Sequence, residues 1–402
     1  MKEYDLLCIG NALIDVFALS DGEAFKRFSL DRPVQHIDVE KLKDIIKVLK
    51  ASSIDKELTI SSGGGAANVA KIAGFLGAKV RFTGSVGAKA GVGILEAGQS
   101  AGQAAEPDYY GKLFKKDLAA AGVELHLAVK QSPTGLCLYL ESYGGMRAGN
   151  TPIDRIRPDS IRFETRIAAS PSAALELSVS DINDDDIKKV RVVLIDGFLL
   201  DKPDLVRHIL KKAKQYGAVA ALDLSSVSIA EKYAIEILDY TTRFPLILFM
   251  NNEEAEAFYG ALASLRKLLH PDKTDASSPL FDTDRRKTNR LFRQICSFFQ
   301  SETGKTINRF RHFPVIVIKR GPEGAFCFAD GDIHRIKTSP VEALDSVGAG
   351  DAFCAGFLSA WVRRWPVLEC ANFGNKTARV ILDVNGTQAN SGMFSELAAR
   401  LR

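Results

Sequence analysis

The chain is 402 residues long, 46% apolar and 25% charged, a profile that suits a globular protein of enzyme size. Its 53 lysines and arginines face 49 aspartates and glutamates, so the net charge of +4 is small and spread along the chain. That balance excludes a disordered acidic or basic polymer and gives no electrostatic case for nucleic acid; nor does any apolar run reach the roughly 18 residues of a membrane helix.

In chain order, strand and helix patterns alternate. Residues 6–9 form a buried-strand run ending at Gly10, and Val39, Leu42, Ile45, Ile46 and Leu49 mark one face of a helix. A strand is expected over 79–86, a helix over 109–121, and an alternating strand over 134–143 that leads into Gly144-Gly145 as one arm of a hairpin. Residues 192–195 read as a fully buried strand. The helix after it turns Leu205, Ile209, Leu210 and Ala213 inward and stops at Gly217. Strand 218–224, a helix around 229–240 and strand 246–250 follow. Strands 315–318 and 325–329, the turn Asp330-Gly331-Asp332, and helices near 349–361 and 368–383 complete the pattern.

Continuous apolar strands between helices imply an α/β fold with a central, mostly parallel sheet covered on both faces, here a single domain over 1–402. Two stretches interrupt it and read as insertions: 88–106, rich in Gly and Ala, and 148–164, with Pro152, Pro158 and several arginines. The polar segment 271–286 reads as a surface loop. The N-terminus lacks the order of a signal peptide. The six cysteines show no paired spacing, and Cys8, Cys137 and Cys327 lie inside apolar runs. They read as reduced core residues of a cytoplasmic protein.

Four motifs bear chemistry. Asp345-Ser346-Val347-Gly348-Ala349-Gly350-Asp351 precedes a helix, where small residues let backbone N–H groups approach an anion and the helix dipole adds positive potential. Asp351 would then stand beside the anion, placed to take a proton from an attacking hydroxyl. The plainer reading is a Gly-rich turn with a helix-start aspartate. The Gly-Lys-Ser/Thr ending of a P-loop is missing. In Ser62-Gly63-Gly64-Gly65-Ala66-Ala67-Asn68, the glycines permit close approach and Asn68 offers donor and acceptor to a sugar hydroxyl, against a simple packing turn. Gly10-Asn11 and Asp15 follow the first strand at the carboxyl edge, where open α/β sheets bind ligands. Asn251-Asn252-Glu253-Glu254 begins a helix after a buried strand, which on its own is an ordinary cap.

Taken in order, these motifs resemble the ribokinase-like, or PfkB, family of carbohydrate and nucleoside kinases. The resemblance runs from Gly10-Asn11 through Gly63-Gly64 and Asn68, Asn251-x-x-Glu254 and Lys319-x-Gly321-x-x-Gly324 to Asp351. It implies a three-layer α/β/α fold and a small β-rich lid drawn from parts of 15–38 and 125–170. Asp351 is then the general base, and the amides of Gly348, Ala349 and Gly350 are the anion hole. Asn11, Asp15, Gly63, Gly64 and Asn68 would contact the acceptor. Lys319, Gly321, Gly324 and Asn375 would lie on the ATP side. Asn251 and Glu254 would support Mg²⁺ through water, and Asp345 would open a loop for a monovalent cation such as K⁺.

Within the family, Gly10-Asn11-x-x-x-Asp15, Pro133-Thr134-Gly135, Gly197-Phe198-Leu199 and Leu222-Asp223-Leu224-Ser225 look most like the adenosine kinase branch. The implied activity is transfer of the γ-phosphate of ATP to a primary hydroxyl of a nucleoside or sugar, by a monomer or homodimer. A ribokinase- or fructokinase-like enzyme and a non-catalytic binding member of the fold are the alternatives. A lid arginine that often holds phosphate would be Arg147 or Arg166. A nicotinamide dehydrogenase is disfavoured, because no glycine fingerprint follows the first strand.

Overall fold

Every second residue of the central strands goes to a different core. Leu6, Cys8, Val192 and Leu194 pack on one side of the sheet, and Leu7, Ile9, Val193 and Ile195 on the other. Strands apolar on both faces must be covered twice, and helices do so. The computed structural model describes residues 2–20, 23–52, 58–89, 105–144, 162–269, 314–330, 332–339, 341, 346–383 and 389–401. Arg147, Asp345, the 271–286 segment and most of both insertions lie outside them.

The strands in chain order are β1 (Tyr4–Ile9), β2 (Leu13–Ser20), β3 (Val34–His36), β4 (Thr59–Gly63), β5 (Val80–Gly87), β6 (Glu124–Lys130) and β7 (Gly135–Gly144). They continue with β8 (Arg162–Ser170), β9 (Val190–Asp196), β10 (Val219–Asp223), β11 (Leu246–Asn251), β12 (Val315–Lys319), β13 (Ala325–Ala329) and β14 (Asp332–Ile336). Nine of these described strands form the main sheet in the order β14-β13-β12-β11-β10-β9-β1-β5-β6. From β12 to β6 all neighbours are parallel, and β13 and β14 add an antiparallel edge. From β1 the chain builds outward through β5 and β6, then returns to the other flank of β1 with β9. That reversal is the topological switch point beside which α/β sheets leave a crevice at the carboxyl ends of the strands.

The other five strands form a smaller sheet, β3-β8-β7-β2-β4. One face, with Ile14, Val16, Leu138 and Leu140, packs into the same core as Leu42, Ile45 and Leu49 of the Val39–Ser52 helix. The other face carries Asp15 and Phe17 opposite Cys137 and Tyr139.

Residues 125–130 belong to β6 of the main sheet, where Leu125 to Lys130 pair in parallel with β5, so the small sheet draws on later parts of 125–170; β4 is one of its edges. Two expectations are corrected. The last residues of the expected 148–164 insertion, Arg162 to Glu164, are the first part of β8, paired antiparallel with β7. The helix expected around 229–240 is two helices, Val227–Lys232 and Ala234–Arg243, since the backbone leaves helical geometry at Tyr233, whose hydroxyl reaches Asp201.

Candidate active site

Five parallel strands end on one edge, so the residues just past them are neighbours whatever their sequence separation. Gly10-Asn11 follows β1, Asp196 closes β9, Asp223 closes β10, and Asn251 and Lys319 stand side by side at the ends of β11 and β12. Two helices point their N-termini at this edge, Gly65–Phe75 and Ala349–Trp361, each favouring negative charge there.

Local geometry explains the glycines. Gly64 sits at φ +97° with the carbonyl oxygen of Asn11 2.3 Å from where a Cβ would be, a conformation and a clearance that only glycine meets cheaply. At Gly63 a Cβ would lie 2.1 Å from the Asp15 carboxyl carbon, so the carboxyl rests directly on the glycine. Gly348, at φ +78°, caps the Ala349–Trp361 helix with no side-chain partner. The N–H groups of Gly348 and Gly350 have no partner among the described residues, whereas that of Ala349 donates to the Ser346 carbonyl at 3.2 Å. Of the three amides expected to form an anion hole, the middle one is engaged in the turn.

Asp351 is brought against Asn68. Asn68 Nδ2 donates to its Oδ2 at 2.9 Å, and its Oδ1 stands 3.5 Å from the position of a Cβ on Gly65. Burial pushes the Asp351 carboxyl up to about 7; Asp223 and Asp196 add to the rise while Asn68 and Lys319 oppose it. Asp15, 2% exposed, is likewise pushed up to about 7 by burial, with Lys71 pulling down and the charge of Asp351 pushing up. Two buried carboxyls pushed up toward neutrality, one in part by the charge of the other, are the arrangement expected of acid–base chemistry.

Two aspartates that sequence reasoning did not place here complete the edge. Asp196 is buried and pushed up to about 6 chiefly by burial, with the Phe198 amide, the Ser225 hydroxyl and the Ala66 amide opposing the rise. Asp223 receives the Lys319 ammonium through both oxygens at 3.0 and 2.9 Å, and the Cys354 thiol at 3.2 Å. Burial alone would pull the Lys319 ammonium down, but Asp223, Cys354 and Glu254 hold it above its ordinary value. Its Nζ lies 3.4 Å from where a Cβ on Gly350 would be, so the cation stands against the amides of the anion loop. The available signal was an aspartate closing each of two buried strands at the carboxyl edge.

Asn251 and Glu254 are hydrogen-bonded to each other. The Asn251 amide N–H donates to Glu254 Oε2 at 2.8 Å, and the Glu254 N–H donates to Asn251 Oδ1 at 2.8 Å. This reciprocal cap starts the Asn252–Leu269 helix. It also leaves the buried Glu254 carboxyl facing Lys319 and Asp223. Among the described residues no group of three or more His, Cys, Asp or Glu is arranged to hold a metal ion. Of the expected nucleotide-side residues, only Lys319 reaches the anion loop. Gly321 and Gly324 shape the turn from β12 to β13, where a Cβ on Gly324 would meet the Ile336 carbonyl at 2.1 Å. Asn375, on the Val367–Ile381 helix, has a buried Nδ2 without a partner among the described residues.

On the small sheet, Phe17 and Tyr139 stack with ring centroids 4.7 Å apart and planes 13° from parallel. They share the face of Asp15 and Cys137, and the Tyr139 hydroxyl is held far above its ordinary range by burial, then by the charges of Asp15, Cys137 and Asp351. Arg166 stands opposite Leu140 on the other face, over the Phe25 ring, so it does not reach this cleft.

The chain has recognisable relatives. Residues 301–392 match the pfkB family carbohydrate kinase description. A 5-dehydro-2-deoxygluconokinase of Clostridium beijerinckii is 24% identical over 213 residues, 52% of this chain and 55% of that protein. A nucleoside kinase of Methanothermobacter thermautotrophicus is 38% identical over 78 residues, 19% of this chain and 25% of that one. The chain thus spans about half or less of the length of these sequence relatives. The adenosine kinase of Sinorhizobium meliloti superposes with a TM-score of 0.71 at 20% identity, covering 99% of both chains. A probable sugar kinase of Rhizobium etli does so at 0.71 and 19%, covering 100% of both. No helix among the described residues is long and apolar enough to cross a membrane. The chain therefore carries a pfkB-family match on the ribokinase-like α/β fold that adenosine kinases and sugar kinases share.

Proposed function

We propose that the protein transfers the γ-phosphoryl group of ATP to a primary hydroxyl of a nucleoside-like acceptor. The observation that carries this reading is the Asp351 carboxyl. It lies in the first turn of a helix whose leading amides and neighbouring Lys319 ammonium form an anion site, and it is held by Asn68 across the cleft from Asp15. A phosphoryl group in flight needs positive potential fixed in advance, and the attacking hydroxyl needs a base within reach. Asp351 is that base. The amides of Gly348 and Gly350 with Lys319 receive the phosphate oxygens, and Asp15 and Asn68 orient the acceptor. Asn11, Gly63 and Gly64 shape the floor beneath it. Gly321, Gly324 and Asn375 border the nucleotide side.

Mg²⁺ would arrive with the triphosphate and keep most of its water, as this ion prefers; Glu254 and Asp223 are the carboxylates that would face that water, and the ion would neutralise phosphate charge. A nucleoside acceptor is favoured by the stacked Phe17–Tyr139 rings, an aromatic pair two residues along each strand from Asp15 and Cys137. Stacking of a base on such a surface is worth about 1–3 kcal/mol. The match to a deoxygluconokinase favours a sugar instead. ADP release measured over adenosine, other nucleosides, ribose and fructose, with and without K⁺, separates the two. The nucleoside reading expects turnover with a nucleoside and a KM raised about tenfold or more in Phe17→Ala, with ribose unaffected. Turnover with sugars alone, insensitive to Phe17→Ala, would replace it.

A further inference from the structure

Lys71 sits in the Gly65–Phe75 helix among buried apolar neighbours, Ala70, Ile72 and Ala73, and is itself 3% exposed. A buried ammonium persists only where it is paired. Its Nζ stands 3.3 Å from Asp117 Oδ2 and 3.1 Å from Ser62 Oγ. The same Asp117 oxygen, from the Tyr109–Ala120 helix, accepts the Ser62 amide at 2.9 Å and the Ser62 hydroxyl. One ion pair therefore ties two helices of the main layer to β4, the edge strand of the small sheet. The next residue on that strand is Gly63, against which the Asp15 carboxyl rests. Of the groups acting on Asp15 or acted on by it, Lys71 is the cation; the others are Asp351 across the cleft and Cys137 and Tyr139 on β7.

We infer that Lys71 is a positioning residue for the acceptor site: clamped by Asp117 and Ser62, its ammonium is the counter-charge of Asp15 and fixes the strand on which Asp15 rests. The assignment leans on the kinase reading only for what Asp15 then does with an acceptor. A residue that merely filled space would leave the charge state of Asp15 unchanged when replaced by an apolar one.

Two variants give opposite signs. Lys71→Met combined with Asp117→Leu removes the pair without stranding Asp117, so that Asp15 alone loses its counter-charge. Asp117→Asn keeps the ammonium and removes its neutraliser. The carboxyl ¹³C resonance of Asp15, identified as the one lost in Asp15→Asn, reads the charge with no turnover involved. Its titration midpoint should rise by about one pH unit or more in the double variant, a tenfold change in ionised fraction at a given pH, and should fall in Asp117→Asn. The acid limb of kcat/KM for the acceptor should follow both, with the KM for ATP unchanged. A midpoint that stays put, or moves the same way in both variants, overturns the inference. Midpoints that move as stated while the acceptor limb stays fixed support the counter-charge and count against Asp15 as an acceptor contact, which is a failure of the kinase reading alone.

Discussion

The two ends of the main sheet use the same residue types to opposite effect. At the amino ends of the strands, charges are matched: Arg81 reaches Asp186, Glu124 and the Tyr4 hydroxyl, His126 lies 3.1 Å from Asp186, and Lys189 and Arg191 meet Glu3 and Asp5. Around the carboxyl ends, the buried carboxyls of Asp15, Asp196 and Asp351 are pushed up toward neutrality, and Asn68 Oδ1 is buried without a partner among the described residues. One end spends its charges on stability. The other keeps several of them pushed toward neutrality, and strongly perturbed groups tend to gather at functional sites.

That contrast sets the order of the predictions. Asp351→Asn should lower kcat by about 10³-fold while calorimetry still finds ATP binding, because only the proton acceptor is lost. Near-normal turnover would remove Asp351 as the base. Lys319→Met should cost about 3–5 kcal/mol in denaturant unfolding, since it strands the buried Asp223, and should lower turnover besides. Arg81→Met, at the other end, should cost about 3 kcal/mol through the buried Asp186 and leave kcat/KM unchanged below the melting transition. Equal kinetic losses in Arg81→Met and Lys319→Met would erase the distinction between the two ends.

The smallest effect is one of pH. Asp196 carries a folded value of about 6 against an ordinary 3.8, so between those limits the folded chain holds a proton that the unfolded chain releases. Stability is therefore lost as pH rises through that window and is level above it. Asp196→Asn should raise Tm by ~2 °C at pH 8 and by less at pH 4.5. A gain that grows toward acid pH would reverse the sign of this account.

How much of this was legible depended on whether the signal was local. The glycine turn at the start of the Ala349–Trp361 helix was, because glycines, an aspartate and an apolar run stand together in the sequence. The α/β rhythm was, because the two cores select alternate residues of each strand. Lys319 against Gly350 was not legible, because it follows from β12 ending beside the Ala349–Trp361 helix, a product of strand order. Asp196 and Asp223 passed as strand ends for the same reason. Lys71 gave no signal at all, since a lysine in a helix usually marks the solvent face, and only the fold turns this one inward beside Asp117. The break at Tyr233 was hidden by an apolar pattern that both helices continue.

The central claim is one of place: an acceptor hydroxyl and a terminal phosphate meeting at Asp351. A crystal structure with adenosine and a non-hydrolysable ATP analogue tests it most directly. The primary hydroxyl should lie within hydrogen-bond distance of Asp351 and the terminal phosphate on the Gly348 and Gly350 amides beside Lys319. Both ligands bound with that hydroxyl remote from Asp351, or the phosphate away from those amides, would contradict it.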